Sequence, residues 1–289
     1  MQDRSPLPFP AFVAIWRASL VVASLLVAAS LGVTFSSHEP VYLVLATTTS
    51  TRDTGLLDYL DPLFALDAGI QVRYVAVGTG QALDLGRRGD ADVVLAHAPS
   101  LEAPFMLEGH GLCRSPVMYN RFLIVGPPSD PAGISGMTNA TEAFREIWQT
   151  NSVFVSRGDN SGTNVKELAI WALVEYTPTQ NDTWYLSTGQ GMGATLAVAS
   201  EKGAYTFTDD GTFYAQVSGL RLQIAVQGDP FLLNHYHVIV INPVEHPGVN
   251  VNAATAFARW LVSERGQALI AGYMIGGHQL FTPEGLDEC

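Results

Sequence analysis

The chain has 289 residues, 47% of them hydrophobic and 15% charged, which excludes a disordered protein and gives material for a buried core and length for two lobes of ordinary domain size. Its 27 acids outweigh 15 bases, only two of them lysines (Lys166 and Lys202), and the net charge of −12 without a basic patch argues against a nucleic-acid partner. Any anion held by this chain has to be attracted locally, by backbone dipoles and a buried arginine.

In chain order, Ser19 to Val33 is an uncharged, mostly apolar run preceded by Arg4 and Arg17 and followed by Ser36-Ser37-His38-Glu39-Pro40. It falls short of the roughly 20 residues that span a bilayer. Residues 1–38 therefore read as a signal peptide, with an uncleaved N-terminal anchor as the alternative, and the chain as exported, touching a membrane only through this segment. The run Val41 to Ala46 is apolar and β-branched, stops at five consecutive hydroxyl residues (Thr47 to Thr51), and gives way to Leu56, Leu57, Leu60, Leu63 and Phe64 at helical spacing. That order predicts strand, hydroxyl loop, helix. Unpaired N–H groups and the positive end of the helix dipole converge at such a junction, where an anion fits; the plainer reading is a helix cap, for which one hydroxyl suffices.

Gln71 to Val77 alternates as a strand and runs into Gly78-Thr79-Gly80 and a helix ending near Arg87, and Ala91 to Ala96 is a further buried strand ending at His97-Ala98-Pro99. Three such units predict an α/β lobe with a mostly parallel sheet, whose ligand sites gather at the carboxyl ends of strands. Arg121 to Gly126 is a strand near which the chain crosses into a second lobe. Thr141 to Gln149 reads as a helix, and Val153 to Val155 as a strand leading into Ser156-Arg-Gly-Asp-Asn-Ser-Gly-Thr163, where a helix with Val165, Leu168, Ala169 and Ala172 on its apolar face begins. Ser187 to Gly193 opens one more helix, without the patterns of a nucleotide loop. Leu222 to Val226 and His237 to Ile241 read as strands, and Ala253 to Ser263 and Glu264 to Tyr273 as terminal helices. The expected organisation is lobe 1 over 41–121, lobe 2 over 122–236 and a return to lobe 1 over 237–289; one large sheet domain is the alternative. Two lobes are preferred because two hydroxyl-rich helix starts make chemical sense facing each other across a cleft.

A tetrahedral oxyanion needs donors on all sides, which backbone N–H groups and hydroxyls supply at little entropic cost. Thr48, Thr49, Ser50 and Thr51 would serve one side, Arg157, Ser161, Gly162 and Thr163 the other, with Gly78 and Thr79 at a point of close approach. A surface ion pair with Asp159 is the plainer reading of Arg157. No nucleophile-elbow motif accompanies the seven histidines, and His235 and His237, alone on one strand face, are a weak case for a metal. Trp148, Trp171, Trp184 and Trp260 read as core. Cys113 and Cys289 could pair in an exported protein, and Asn139 and Asn181 begin glycosylation sequons.

Taken together, Ala46-Thr-Thr-Thr-Ser-Thr51, Val77-Gly-Thr-Gly-Gln-Ala82, Gly86-Arg-Arg-Gly-Asp-Ala-Asp92, Tyr119-Asn120, Ser156 to Thr163, Gly189-Gln-Gly-Met-Gly193 and Ala204-Tyr205 make the chain resemble the tungstate-binding component of ABC uptake systems, a family with the type II periplasmic-binding-protein fold. The resemblance covers Val41 to Pro283. It implies a two-lobed clamshell of mixed, mostly parallel sheets with flanking helices. It also implies a solute-binding protein, not an enzyme, that takes up tungstate, with molybdate next and phosphate or sulfate as alternatives. No cofactor is implied, tungsten or molybdenum enters only as the bound oxyanion, and the partner is an ABC-transporter permease served by a monomer. Binding roles transfer to Thr48, Thr49, Ser50, Arg157, Ser161 and Thr163. Arg121 departs from the acid that similar proteins often carry there. A secreted enzyme or sensor on the same fold is the further alternative.

Overall fold

The computed structural model describes residues 40–179 and 181–289, so the segment 1–38 expected to direct export lies outside the described residues. Its first strand, β1 (Val41–Thr48), sends Leu43 and Leu45 to one side of the sheet and Ala46 to the other, all three fully buried, because helices cover both faces. Short α1 (Thr49–Asp53) follows directly, then α2 (Leu56–Ala68), β2 (Ile70–Val77), α3 (Thr79–Arg87), β3 (Val93–Ala96) and α4 (Pro99–Leu107). The strand β4 (Gly111–Gly126) leads out to α5 (Ala140–Gln149), β5 (Phe154–Ser156), α6 (Gly162–Leu173), β6 (Tyr185–Ser187), α7 (Met192–Lys202), β7 (Tyr205–Asp209), α8 (Asp210–Gln216) and β8 (Gln223–Val226). Then β9 (Leu233–Ile241) brings the chain back to α9 (Val251–Val262), α10 (Glu264–Gly272) and the short strands β10 (Met274–Ile275), β11 (His278–Gln279) and β12 (Thr282–Pro283).

The main sheet runs in the order β2-β1-β3-β9-β4-β7-β5-β6. Pairs on both flanks are parallel (β1 with β2 and β3, β5 with β6 and β7), as βαβ units require, whereas the middle pairs β3-β9, β9-β4 and β4-β7 are antiparallel. The two-lobed α/β fold is built about that middle. Through Arg121, β4 pairs with β9; from Phe122 it pairs with β7. One strand thus belongs to the sheets of both lobes. Phe64, Phe257 and Tyr236 anchor the core of the first lobe, and Phe144, Phe154, Trp171 and Phe207 that of the second, each deeply buried aromatic contributing about 2–3 kcal/mol of transfer free energy.

Three expectations change in detail. The hydroxyl run is not a loop: Thr47 and Thr48 finish β1 and Thr49 already starts α1, after which Gly55, at φ 73°, turns the chain into α2. The strand expected over His237–Ile241 begins at Leu233, where it already pairs with Arg121. The buried face of α6 is the opposite of the expected one: Leu168, Ala169 and Ala172 are exposed, while Thr163, Asn164, Glu167, Ile170 and Trp171 are buried. Glu167 and Asn164 can occupy that face because their side chains are hydrogen-bonded. Glu167 accepts from Ser156 Oγ (2.7 Å), Tyr185 OH (2.7 Å) and Trp171 Nε1 (3.2 Å), and Asn164 Nδ2 donates to Ser156 Oγ (3.3 Å). Of the four tryptophans expected in the core, Trp171 and Trp184 are buried, and Trp148 and Trp260 pack at the core margins. Cys113 on β4 and Cys289 form a disulfide, with Cα atoms 5.3 Å apart.

Candidate functional site

The end of β1 places Thr48 in extended conformation as the cap of α1, where its Oγ1 accepts from the Thr51 N–H (3.4 Å). That oxygen is also 3.0 Å from Ser50 Oγ and 2.8 Å from Thr51 Oγ1, so three buried hydroxyls saturate one another. Ser50 Oγ continues to His97 Nε2 (3.2 Å), at the carboxyl end of β3. Thr49, only partly buried, faces outward and meets the second lobe: Arg157 Nη2 donates to its Oγ1 at 3.1 Å.

Arg157 follows β5 and is 1% exposed, so the surface ion pair considered from sequence is a buried one, with Nη2 2.6 Å from Asp159 Oδ2. The other carboxylate oxygen of Asp159 accepts from the Ser161 N–H (3.2 Å), which leaves both oxygens engaged within the loop. Ser161 caps α6 by accepting from Asn164 N–H (3.3 Å). Among the described residues, however, Arg157 Nε and Nη1 and Thr163 Oγ1 are buried without any partner. Leaving a buried neutral donor idle costs about 1–3 kcal/mol, and a charged one more, so these atoms fit a site that an anion completes.

The two helix starts touch. Gly162 N–H donates to Thr79 Oγ1 at 3.1 Å, joining the first turns of α6 and α3. A side chain at Gly162 would collide with His97, whose Cε1 and backbone oxygen lie 2.8 and 3.0 Å from the Cβ position, and one at Gly78 would crowd the Asp159 carbonyl at 3.3 Å. Thus the structure brings together Thr48, Thr49, Ser50 and Thr51 with Arg157, Ser161, Gly162 and Thr163. Gly78 and Thr79 stand beside them as the close contact, Thr79 spending its oxygen on Gly162.

Sequence reading placed His97 at the strand-end face but missed what it does. Its Nδ1 is 3.0 Å from Asn234 Oδ1; Asn234 Nδ2 donates to Asn120 Oδ1 (2.7 Å), and Asn120 Nδ2 to Asp209 Oδ1 (3.4 Å). His97 follows β3 and the others come from β9, β4 and β7; of these residues only Asn120 and Asn234 are direct partners in a strand ladder. Burial holds the imidazole pKa of His97 below its ordinary value, opposed chiefly by the negative charge of Asp209. Glu167 was missed because periodicity put it on the wet face; burial pushes its carboxyl up to about 7 against the donors that surround it. The histidines on β9 turn to other partners, His235 to Glu284 (2.7 Å) and His237 to Glu102 (2.9 Å), and no group of three metal-ligating side chains exists among the described residues.

Residues 34–265 match the PBP superfamily domain. A protein of Haloferax volcanii, proposed to be an ABC transporter anion-binding protein, is 48% identical over 251 residues, 85% of this chain and 73% of the relative. The tungstate-binding protein TupA of Peptoclostridium acidaminophilum is 46% identical over 245 residues, 83% of this chain and 85% of its own length. The solved structure of the tungstate-binding protein TupA from Desulfovibrio alaskensis G20 superimposes with a TM-score of 0.73 at 45% identity, covering 85% of this chain and all of that one (100%). The chain belongs to the PBP superfamily and, within it, to the family that includes the TupA proteins.

Proposed function

We propose that this protein is an exported, non-enzymatic solute-binding protein that captures tungstate, with molybdate as the nearest competitor, between lobes spanning 41–121 with 237–289 and 122–236. Arg157, Thr163, Thr49 and the backbone N–H groups at the starts of α1 and α6 hold the oxyanion; Thr48, Ser50, Thr51, Ser161, Gly162, Gly78 and Thr79 shape the walls that carry them. The observation carrying this reading is the pair of idle guanidinium nitrogens of a buried Arg157, together with an idle Thr163 hydroxyl in the first turn of α6. Phosphate keeps a proton at neutral pH that needs an acceptor, whereas tungstate and molybdate carry none; the idle donors of Arg157 and Thr163 suit the fully deprotonated ions, and Asp159 is bonded within its own loop to Arg157 Nη2 and the Ser161 N–H.

An ABC-transporter permease is the partner this reading implies, with the binding protein acting as a monomer that delivers its ligand outside the membrane. None of the described helices is long and apolar enough to cross a bilayer. Titration calorimetry with tungstate, molybdate, sulfate and phosphate tests the assignment. Tungstate should bind tightest; tighter binding of phosphate would sink it.

A second reading rests on Ser50, His97 and Asn234, which line up as a nucleophile, a base and an orienting amide would in a hydrolase. Ser50 is wholly buried, so no substrate carbonyl reaches its Oγ without rearrangement, and the binding reading is preferred. Ester turnover that disappears in the His97→Ala variant would reverse that preference.

A further inference from the structure

The hydrogen bonds that run inward from Ser50 have a direction, and that direction follows from their far end. Asp209 is a carboxylate that accepts from Thr212 N–H (2.7 Å) and Thr212 Oγ1 (2.8 Å), so Asn120 has to turn its amide nitrogen toward it. The Asn120 oxygen then faces Asn234, which answers with its own nitrogen, and the Asn234 oxygen faces His97 Nδ1. His97 therefore carries its proton on Nδ1. Neutral, it presents a lone pair at Nε2, and Ser50 gives it the hydroxyl proton over 3.2 Å; Ser50 Oγ in turn accepts from Thr48, 3.0 Å away. The inner hydroxyls of the first helix start thus send their protons toward the interior. His97 also touches the other helix start, since its ring abuts Gly162.

We infer that His97 is a positioning residue that sets the direction of the Ser50 hydroxyl and couples capture of an oxyanion to uptake of one proton from solvent at Nε2. This rests on the proposed oxyanion site. With a proton at Nε2, the ring donates to Ser50 Oγ, and the Ser50 proton and that of Thr48 are released to point toward the cleft. A cation then stands behind the helix start that faces a dianion. Burial is the largest influence on the ring and disfavours the imidazolium, Asp209 and Glu102 favour it, and Arg157 opposes it, so His97 is held neutral until an anion arrives to act against that balance. Glu102 is itself held by Arg114 and His237, Lys166 and His235 line the same 310 Å³ cavity as His97, and Tyr236 stacks on the ring at 4.7 Å. A bound dianion offsets the repulsion from Arg157 and tips the balance toward the protonated ring. The polarity of this chain also ties the ligand-binding turn to Asn120 and Asn234, which pair just before the shared strand β4 leaves β9 for β7.

The test is calorimetric titration of the whole protein with dilute molybdate, at several pH values and, near neutrality, in two buffers of different ionisation enthalpy. Wild type should take up a measurable fraction of a proton, at most about one, per molybdate and bind more tightly as pH falls, by at most about tenfold per pH unit. His97→Gln should abolish both effects. Asp209→Asn, which keeps the helix cap but removes the charge favouring imidazolium, should move the proton uptake to lower pH. Molybdate binding by wild type with no buffer-dependent heat would overturn this inference while leaving the oxyanion site standing. Unchanged uptake in His97→Gln would also overturn it. If neither molybdate nor tungstate bound at any pH, the site and the inference would fall together.

Discussion

At the start of α1 the Thr48, Ser50 and Thr51 side chains bond to one another and to His97, whereas at the start of α6 Arg157 and Thr163 keep buried donors without partners. The first region has spent its side-chain hydrogen bonds on holding its own shape. The second has shape supplied from below, by Glu167 and Asn164, and keeps its donors for something else. Runs of hydroxyl residues are therefore a poor guide to which hydroxyls meet a ligand; idle donors are a better one.

Arg157 gives the sharpest way to break this comparison. Arg157→Lys keeps the charge but loses the planar fork, and tungstate affinity should fall about 10²- to 10³-fold, or about 3–4 kcal/mol, in calorimetry. An affinity within threefold of wild type would mean that the second region is not where the anion is held. Next in size is a pH effect confined to the support under α6. Because burial raises the Glu167 carboxyl in the folded state from 4.5 to about 7, the stability it confers is full below about pH 4.5 and is lost as pH rises to about 7. Urea unfolding should show wild type losing up to about 3 kcal/mol relative to Glu167→Gln across that interval. Parallel curves for the two proteins would remove Glu167 as the strained support. The smallest effects compare the two regions directly. Thr163→Val should weaken tungstate binding by roughly tenfold with little change in melting temperature, while Thr48→Val should cost about 1 kcal/mol of stability through the lost cap and change affinity less. If Thr48→Val proved the worse binder of the two, the contrast between spent and spare donors would be wrong.

Much of this was legible in the chain itself. Strand ends rich in small polar residues, each opening a helix, pointed to both halves of the proposed site, because a parallel strand followed by a helix puts its loop on one edge of the sheet. Arg157 was legible as the one basic residue in such a loop, although the sequence left its burial open against a surface ion pair with Asp159. The α6 face was misread because Val165, Leu168, Ala169 and Ala172 recur at helical spacing, and periodicity gives no weight to a Glu167 whose charge is satisfied by Ser156, Trp171 and Tyr185. The His97 chain could not be read at all. It draws Ser50, Asn120, Asp209 and Asn234 from different strands and turns, and no spacing along a sequence records a ladder register. The Cys113–Cys289 bond was in the same position, open as a possibility until the fold set the distance.

The single strand shared by both sheets also has a consequence for how the chain is made. The strands β4 to β8 come from one continuous stretch, and the pairing among them can be complete once β8 has emerged. The other side of the sheet is interrupted: its flank β2-β1-β3 is synthesised early, but the gap between β3 and β4 stays open until β9 arrives, and Cys289 reaches Cys113 across 176 residues of chain. Contacts of that separation close slowly and leave unpaired strand edges in the meantime. The half of the molecule that begins first on the ribosome is therefore the half that finishes last, and its open edge is the one a chaperone would have to guard.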